Sequence, residues 1–253
     1  MTSGAIYPSL RDRTVLVTGG GSGIGEAIVR HFVAQGSKVG FLDINAEASE
    51  ALAKELSATG TVHFEKCDLR DIAALRQAIA NVREKLGAIT ILINNAAHDQ
   101  RHKLEDVTPE YWDERYQVNI RHQFFAAQAV VEDMKAAGKG AIINMGSTSW
   151  MIGQGGMPAY TSAKSAVQGL TRGLARDLGP FNIRVCSVVP GWIMTQRQID
   201  LWLTPEAEVD LMNKQCLKRK LFPDDIAKPV LFFASDEASG CTNQSYIVDG
   251  GWV

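Results

Sequence analysis

The chain has 253 residues, of which 45% are hydrophobic and 21% charged, and its formal net charge is −2. This balance is typical of a soluble globular protein and gives no strong field that would draw in nucleic acid or an anionic membrane. No apolar run approaches the ~20 residues that span a bilayer, and the N-terminal segment lacks the apolar core of a signal peptide, so we expect a cytoplasmic protein with no membrane partner.

The first half of the chain alternates short β-branched runs with stretches whose apolar residues recur at helical spacing. The predicted strands are Thr14–Gly19, Lys38–Asp43, Val62–Asp68 and Ile89–Ala97. The predicted helices are 23–36, Ala46–Ala58 and Asp71–Leu86. Gly36 is a stop signal for the first of these helices.

The second half continues the alternation with longer helices. A helix is predicted from about Thr108 to Lys135, with Pro109 well placed in its first turn. The other elements are a strand at Gly140–Ser147, a helix at Pro158–Leu178, a strand at Ile183–Gly191, a helix at Pro223–Ser235 and a last strand at Ser245–Gly251. The polar stretch 192–222 is predicted to be irregular.

Strands that alternate with helices predict right-handed βαβ units and a parallel sheet covered on both faces. Strands that are apolar almost throughout fit burial on both faces. Nothing in the composition divides the chain, which contains no linker, repeat or charge block. The sequence therefore predicts an α/β fold over 1–253, a single-domain Rossmann-type doubly wound parallel sheet.

The first strand leads directly into TGGGSGIG at Thr18–Gly25, which opens the first helix. Glycines allow a sharp turn and close approach to a ligand, and a helix N-terminus offers unpaired N–H groups to a pyrophosphate. Asp43 ends the second strand, close to the spacing of the carboxylate that binds the adenosine ribose. A carboxylate there would repel a 2′-phosphate, and no Arg or Lys stands nearby in sequence, so NAD is favoured over NADP. Asn45 is the better candidate for capping the next helix.

Tyr160 and Lys164 are four residues apart on a predicted helix and can share one face. Alone, such a pair is more often a solvated surface pair. A buried ammonium within ~4–6 Å would instead lower the pKa of the phenol and make it a proton acceptor near neutral pH. Ser147, Asn119 and the segment Asn94–Ala97 map to the same edge of the predicted sheet, which favours the second interpretation.

These motifs together resemble the short-chain dehydrogenase/reductase family over essentially the whole chain. The shared motifs are T-G-x-x-x-G-I-G at Thr18–Gly25, Asp68–Leu69, N-N-A at Asn94–Ala96, Asn119, Ser147, Tyr160-x-x-x-Lys164, Pro190–Gly191 and Asp249–Gly251. Ala97 departs from the pattern, since the family usually has glycine there.

The resemblance implies four catalytic residues. Tyr160 exchanges a proton with the substrate hydroxyl, and Ser147 hydrogen-bonds the reacting oxygen. Lys164 lowers the pKa of Tyr160 and holds the nicotinamide ribose, while Asn119 holds a water that links Lys164 to solvent.

The resemblance also implies the cofactor site and the assembly. The implied cofactor-binding residues are Gly19, Ser22, Gly23, Ile24, Gly25, Asp43, Asp68, Leu69, Asn95, Tyr160, Lys164, Pro190, Ile193 and Thr195. No metal is expected. A homotetramer is implied, with the helices Thr108–Lys135 and Pro158–Leu178 at an interface.

Segments outside the shared motifs, such as PGWIMTQRQ and CTNQSYIVDGGW, resemble bacterial aldose 1-dehydrogenases. That resemblance implies oxidation of the anomeric hydroxyl of a pentose or hexose to its lactone, with the loop at 99–102 and the stretch after Trp192 closing over the sugar. The candidate substrate-binding residues are Ser147, Ser149, Tyr160, Arg101, Gln154, Trp192 and Arg197.

Several alternatives stay open at this stage. The substrate could be another alcohol or ketone, such as a 3-oxoacyl thioester, and a non-catalytic dinucleotide sensor is a further alternative. Arg101 could bind sugar hydroxyls or pair with Asp99 at the surface. His98 and His102 lack the partner spacing of a metal site.

Overall fold

The structure is a computed structural model that describes residues 4–253, so the first three residues of the N-terminal segment lie outside the described part. Its seven strands are β1 (Thr14–Thr18), β2 (Lys38–Asp43), β3 (Val62–Lys66), β4 (Ile89–Asn94), β5 (Gly140–Met145), β6 (Ile183–Pro190) and β7 (Ser245–Val248). They form one sheet in the order β3-β2-β1-β4-β5-β6-β7, and every neighbouring pair is parallel. The predicted doubly wound α/β fold is confirmed.

The α-helices are α1 (Gly23–Ala34), α2 (Ala46–Leu56), α3 (Ile72–Leu86), α4 (Pro109–Tyr116), α5 (His122–Ala136), α6 (Pro158–Leu178), α7 (Gln196–Trp202), α8 (Pro205–Lys214) and α9 (Pro223–Ala234). None of the helices in the described range is long and apolar enough to cross a membrane. Asn45 caps α2 by accepting from the Ala48 N–H, as predicted.

The hydrophobic core has two layers, because successive residues of each strand point to opposite faces of the sheet. Val15 and Val17 of β1 pack on one side with α1 and α9, where Ile28 and Phe32 are fully buried. Leu16 packs on the other side with α3 and α5. This two-sided burial explains why the strands are apolar almost throughout.

Two predicted segments differ from the structure. The helix predicted from Thr108 to Lys135 contains a π-helical turn at Gln117–Arg121 between α4 and α5. The stretch 192–222, predicted to be irregular, contains α7 and α8. Thr195 and Thr204 cap these two helices by accepting backbone N–H bonds, which stabilises their first turns.

The sheet order reverses between β1 and β4, and this switch point positions the functional site. Thr18 at the end of β1 pairs with Asn94 of β4, and Asn94 pairs with Asn144 of β5. The Asn94 amide donates to Asn144 Oδ1 over 2.9 Å, and Asn144 donates to Thr171 of α6 over 3.1 Å. These bonds fix the strand ends and α6 relative to one another.

Candidate active site

One large cleft, with a volume of about 1110 Å³, lies at the carboxyl ends of strands β1 to β6. The residues that line it include every predicted cofactor-binding residue: Gly19, Ser22, Gly23, Ile24, Gly25, Asp43, Asp68, Leu69, Asn95, Tyr160, Lys164, Pro190, Ile193 and Thr195. The predicted substrate residues Ser147, Ser149, Arg101, Gln154, Trp192 and Arg197 line the same cleft. Of the predicted set, Asn119 alone is missing from the lining.

The glycine loop has no room for side chains. A Cβ at Gly25 would lie 1.8 Å from the Gly19 carbonyl oxygen, and one at Gly21 would lie 2.2 Å from Ser49 Oγ. Gly19 and Gly23 have φ values of 65° and 57°, which L-residues rarely adopt. The side chain of Ser22, the N-cap of α1, makes no capping bond. The first turn of α1 faces the cleft, since Gly23, Ile24 and Gly25 line it. This cradle fits the diphosphate of a dinucleotide.

Asp43 lies beside this loop. Its Oδ2 accepts from the Gly21 N–H over 2.9 Å, and its Oδ1 accepts from the Asn45 N–H over 2.9 Å. An ionised carboxylate has about four acceptor sites, so Asp43 can accept further hydroxyl donors. Its position over the loop fits recognition of a ribose diol.

Asp68 and Arg70 form an ion pair at the end of β3. Arg70 Nη2 lies 2.6 Å from Asp68 Oδ2, and this hydrogen bond lowers the pKa of the carboxyl below its usual value. Arg70 also bonds Glu114 of α4 over 2.7 Å. Because Arg70 is held by two carboxylates, it is not a free cation for a phosphate.

Ala97, where the resemblance predicts glycine, lines the cleft. Among the described residues, the non-glycine positions with positive φ are Asp12, Asn182 and Asn243. Ala97 is not one of them, so its backbone does not need glycine at this position.

Tyr160 and Lys164 share a face of α6, as their spacing predicts. The Lys164 ammonium donates to the Met145 carbonyl over 2.8 Å and lies 5.7 Å from the centre of the Tyr160 ring. Lys164 is 1% exposed. Burial lowers the pKa of Lys164 to about 8, and the charge of Asp99 opposes this change.

The sequence predicts a lowered pKa for Tyr160, and this direction is wrong for the protein without a bound cofactor. Burial raises the pKa of the phenol well above its usual value. A hydrogen bond with Ser147 opposes this increase, and the negative charge of Asp99 adds to it. The ammonium of Lys164 is directed at the Met145 carbonyl rather than at the phenol oxygen, so desolvation dominates.

We therefore expect Tyr160 of the free enzyme to stay protonated through about pH 10, the usual phenol value. The raised pKa means that the phenolate forms only as the pH rises above that value. The test is the phenolate absorbance of the wild type minus that of Tyr160→Phe across a pH titration. A difference signal that is complete by about pH 9 would contradict the burial effect.

The side chain of Asn119 is held by backbone groups of neighbouring segments. Asn119 lies in the π-helical turn and is fully buried. Its side-chain oxygen accepts from the His98 N–H over 2.9 Å, and its amide donates to the carbonyls of Arg115 and His98. The side chain thus ties the loop after β4 to α4, and the role of Asn119 in holding a water near Lys164 stays a prediction.

Arg101 and Asp99, on the loop at the substrate end of the cleft, have partners other than each other. The Arg101 guanidinium lies over the Trp202 ring, 4.2 Å from its centre, and does not pair with Asp99. Asp99 instead bonds Arg197 Nε over 3.2 Å. The surface pairing of Arg101 with Asp99 is therefore wrong.

The two histidines of this loop have protein partners. His98 Nδ1 contacts Arg115, and His102 Nδ1 lies 3.0 Å from the Tyr111 hydroxyl. Burial lowers the pKa of His98, and the positive charge of Arg115 adds to this effect. Within residues 4–253, no three His, Cys, Asp or Glu side chains come together in a way that could hold a metal ion.

Sequence reasoning missed several residues that line the cleft, among them Gln198, Trp202 and Trp252. Gln198 and Trp202 belong to α7. Thr195, which caps α7, and the pair Thr204–Pro205, which starts α8, were the helix signals that could have found this part of the site.

Comparison with known proteins identifies the family of the chain. Residues 19–253 match the family described as enoyl-(acyl carrier protein) reductase. A solved short-chain type dehydrogenase/reductase from Mycobacterium ulcerans superposes with a TM-score of 0.91 at 28% identity, covering 96% of this chain and 90% of that chain. The chain belongs to the short-chain dehydrogenase/reductase family and is an oxidoreductase, and the family implies a nicotinamide dinucleotide cofactor.

Two curated relatives are more similar in sequence. The chain is 48% identical over 251 residues to a D-xylose 1-dehydrogenase of Caulobacter vibrioides, covering 99% of each chain. It is 49% identical over 247 residues to a protein of Rhizobium meliloti named "Probable galactose dehydrogenase", covering 97% of this chain and 96% of the relative. The predicted resemblance to aldose dehydrogenases is confirmed at the level of sequence.

Proposed function

We propose that the protein oxidises the anomeric hydroxyl of a pentose or hexose to the sugar lactone. The observation that carries the proposal is the convergence of Ser147, Tyr160 and Lys164 with the glycine loop in one cleft. The identity of 48% and 49% to two sugar dehydrogenases favours an aldose over other alcohols.

The reaction removes a proton from O1 and a hydride from C1, and the carbon–oxygen bond gains double-bond character. Tyr160 takes the O1 proton, and the Ser147 hydroxyl hydrogen-bonds the reacting oxygen. The Ser147 side chain is oriented by the Ser149 N–H, which donates to Ser147 Oγ over 3.1 Å. When bound, the oxidised nicotinamide ring supplies the hydride acceptor and a positive charge.

Lys164 has two roles in this proposal. Its ammonium, anchored on the Met145 carbonyl, is available to the ribose hydroxyls at the same end of the cleft. It also offers the phenol a nearby cation, which favours the phenolate once further positive charge offsets the burial of Tyr160. The raised pKa of the phenol in the chain by itself would keep Tyr160 protonated, and hence inactive as a base, until cofactor is bound.

We also propose NAD rather than NADP as the cofactor. The Asp43 carboxylate lies beside the glycine loop, where its negative charge would repel a 2′-phosphate. Arg70, a cation that lines the cleft beside Asp68, is paired with Asp68 and Glu114. We further propose the homotetramer that the family resemblance implies. The exposed side chains of Phe124 in α5 and of Phe181 after α6 support it.

The test is a panel of aldoses with NAD⁺ and NADP⁺, followed by the absorbance of the reduced cofactor. D-xylose, L-arabinose, D-galactose and D-fucose cover the pentoses and hexoses of interest. We expect turnover of at least one aldose, with NAD⁺ preferred. Reduction of a 3-oxoacyl thioester with no oxidation of any sugar would support the other enzyme class, and cofactor binding without any turnover would support a sensor.

A further inference from the structure

Asp99, on the loop after β4, is the centre of a polar network at the mouth of the cleft. Its Oδ1 accepts from Arg197 Nε over 3.2 Å, and its Oδ2 accepts from Gln198 Nε2 over 2.6 Å. Trp192 Nε1 in turn donates to Gln198 Oε1 over 2.9 Å. Two neighbouring residues of α7 therefore orient the carboxylate, and Trp192 in turn positions one of them.

Asp99 belongs to the catalytic end of the cleft. It lines the cavity, and its side chain is 20% exposed. Its negative charge raises the pKa of both Tyr160 and Lys164. Tyr160 and Ser147 line the same cavity, so a substrate that is bonded to Tyr160 can also present a hydroxyl to Asp99.

The carboxylate keeps acceptor capacity for a ligand. An ionised carboxylate offers about four lone-pair sites, and Arg197 and Gln198 use two of them. A group that can only accept hydrogen bonds is satisfied by hydroxyl donors and not by a hydrocarbon wall. A monohydric alcohol would leave these sites unpaired in a partly closed cleft, which costs binding free energy.

Aromatic faces complete the surroundings. Trp192 and Trp202 line the same part of the cleft, and Trp202 is backed by Arg101 at 4.2 Å. Ring faces beside a fixed acceptor suit the C–H faces and hydroxyls of a cyclic polyol. The arrangement thus combines apolar contact with one strong polar contact per ligand.

We propose that Asp99 is a specificity-determining residue that accepts a hydrogen bond from the sugar hydroxyl on C2, next to the reacting carbon. This inference rests on the proposed function. It explains why Arg197 and Gln198 are directed at Asp99: they orient the carboxylate for the substrate and connect α7 to the sugar. It also predicts that alcohols without a neighbouring hydroxyl are poor substrates.

The experiment compares wild type and Asp99→Asn on the best aldose of the panel and on its 2-deoxy and 3-deoxy forms. Hydrogen bonds to charged groups contribute about 1.5–3 kcal/mol, so we expect kcat/KM of the wild type to fall about 10- to 100-fold for the 2-deoxy sugar. Asp99→Asn should lose about as much on the parent sugar. The two enzymes and the two sugars form a double-mutant cycle, which isolates the interaction between the Asp99 carboxylate and the C2 hydroxyl. If that interaction exists, kcat/KM of Asp99→Asn for the parent and 2-deoxy sugars should differ by less than about threefold.

Two further variants separate substrate recognition from a structural role. Asp200 belongs to α7, as Arg197 and Gln198 do, but its carboxylate does not line the cleft. Asp200→Asn should therefore keep the wild-type discrimination between the parent and 2-deoxy sugars. Gln198→Ala removes a partner of Asp99 and should keep most of the 2-deoxy discrimination. If Gln198→Ala abolished this discrimination as fully as Asp99→Asn does, Asp99 would be only a tether for α7.

The outcomes for the inference and for the proposed function are distinct. If wild type oxidises no aldose, the proposed function fails. If wild type oxidises an aldose but Asp99→Asn discriminates against the 2-deoxy sugar as strongly as wild type does, the inference alone fails. If Asp99→Asn loses the discrimination against the 3-deoxy sugar and keeps that against the 2-deoxy sugar, the assignment to C2 is overturned.

Discussion

Tyr160→Phe is expected to abolish nearly all sugar oxidation while leaving cofactor binding intact. The substitution removes the group that takes the O1 proton, and proton transfer by a positioned side chain contributes about 10²- to 10⁴-fold. It keeps the ring against which the Lys164 ammonium lies at 5.7 Å, so the packing of α6 should not change. We therefore expect kcat to fall by about 10²- to 10⁴-fold, and NADH fluorescence should give a dissociation constant within about threefold of wild type.

Tyr246→Phe is the matched control, because it removes the same hydroxyl group outside the cleft. Tyr246 is a half-exposed residue of β7 that does not line the cleft. The control variant should turn over like wild type. A Tyr160→Phe enzyme with more than about a fifth of wild-type kcat would be incompatible with Tyr160 as the base, since even the weakest general-base contribution exceeds that difference. Loss of NADH binding in Tyr160→Phe would show that the phenol hydroxyl itself is needed to hold the cofactor.

Sequence reasoning predicted the sheet well, because its signal is local. The apolar runs around Val15, Ile91 and Val185 are buried on both faces of the sheet, and this burial requires no knowledge of partners. Six of the seven predicted strands are too long at their carboxyl ends, and Lys38–Asp43 alone matches; the strand predicted at Ile89–Ala97, for example, ends at Asn94 in the structure. The residues beyond that point are apolar or small because they line a cleft, not because they pair with a strand.

The polar composition of the stretch after Trp192 predicts irregular structure, whereas the structure has two helices there. α7 and α8 are short and half exposed, so their apolar periodicity is weak. The Thr–Pro–Glu run at 204–206 is nevertheless a strong start signal, since threonine caps α8 and proline fits its first turn. The geometry of the substrate end depends on these two helices.

The chemistry of the site was less predictable than its composition. Spacing was enough to place Tyr160 and Lys164 on one face, but the direction of the phenol pKa depends on burial and on Asp99, which is distant in sequence. The hydrogen bond between the Asn119 side chain and the His98 N–H likewise joins residues that are distant in sequence. Both features arise from tertiary contacts that no local pattern encodes.

Gly25→Ala is expected to have the second large effect. The added Cβ would lie 1.8 Å from the Gly19 oxygen and 2.6 Å from Asn95 Nδ2, and these two atoms are themselves hydrogen-bonded at 2.9 Å. The loop would have to move by more than about 1 Å, and a misplacement of that size near reacting groups can cost about 100-fold in rate. We expect kcat/KM for NAD⁺ to fall at least about 100-fold, measured at saturating sugar.

The same clash should lower stability, since overpacking of a buried site costs about 1–3 kcal/mol. For a chain of this size the melting temperature should fall by roughly 2–12 °C, which thermal denaturation followed by circular dichroism can measure. Gly240→Ala is the control, because a Cβ there meets nothing within 4 Å, and it should match wild type in both measurements. If Gly25→Ala bound NAD⁺ normally at wild-type stability, the diphosphate would not lie against this turn, because the methyl group cannot be accommodated without moving the Gly19 carbonyl.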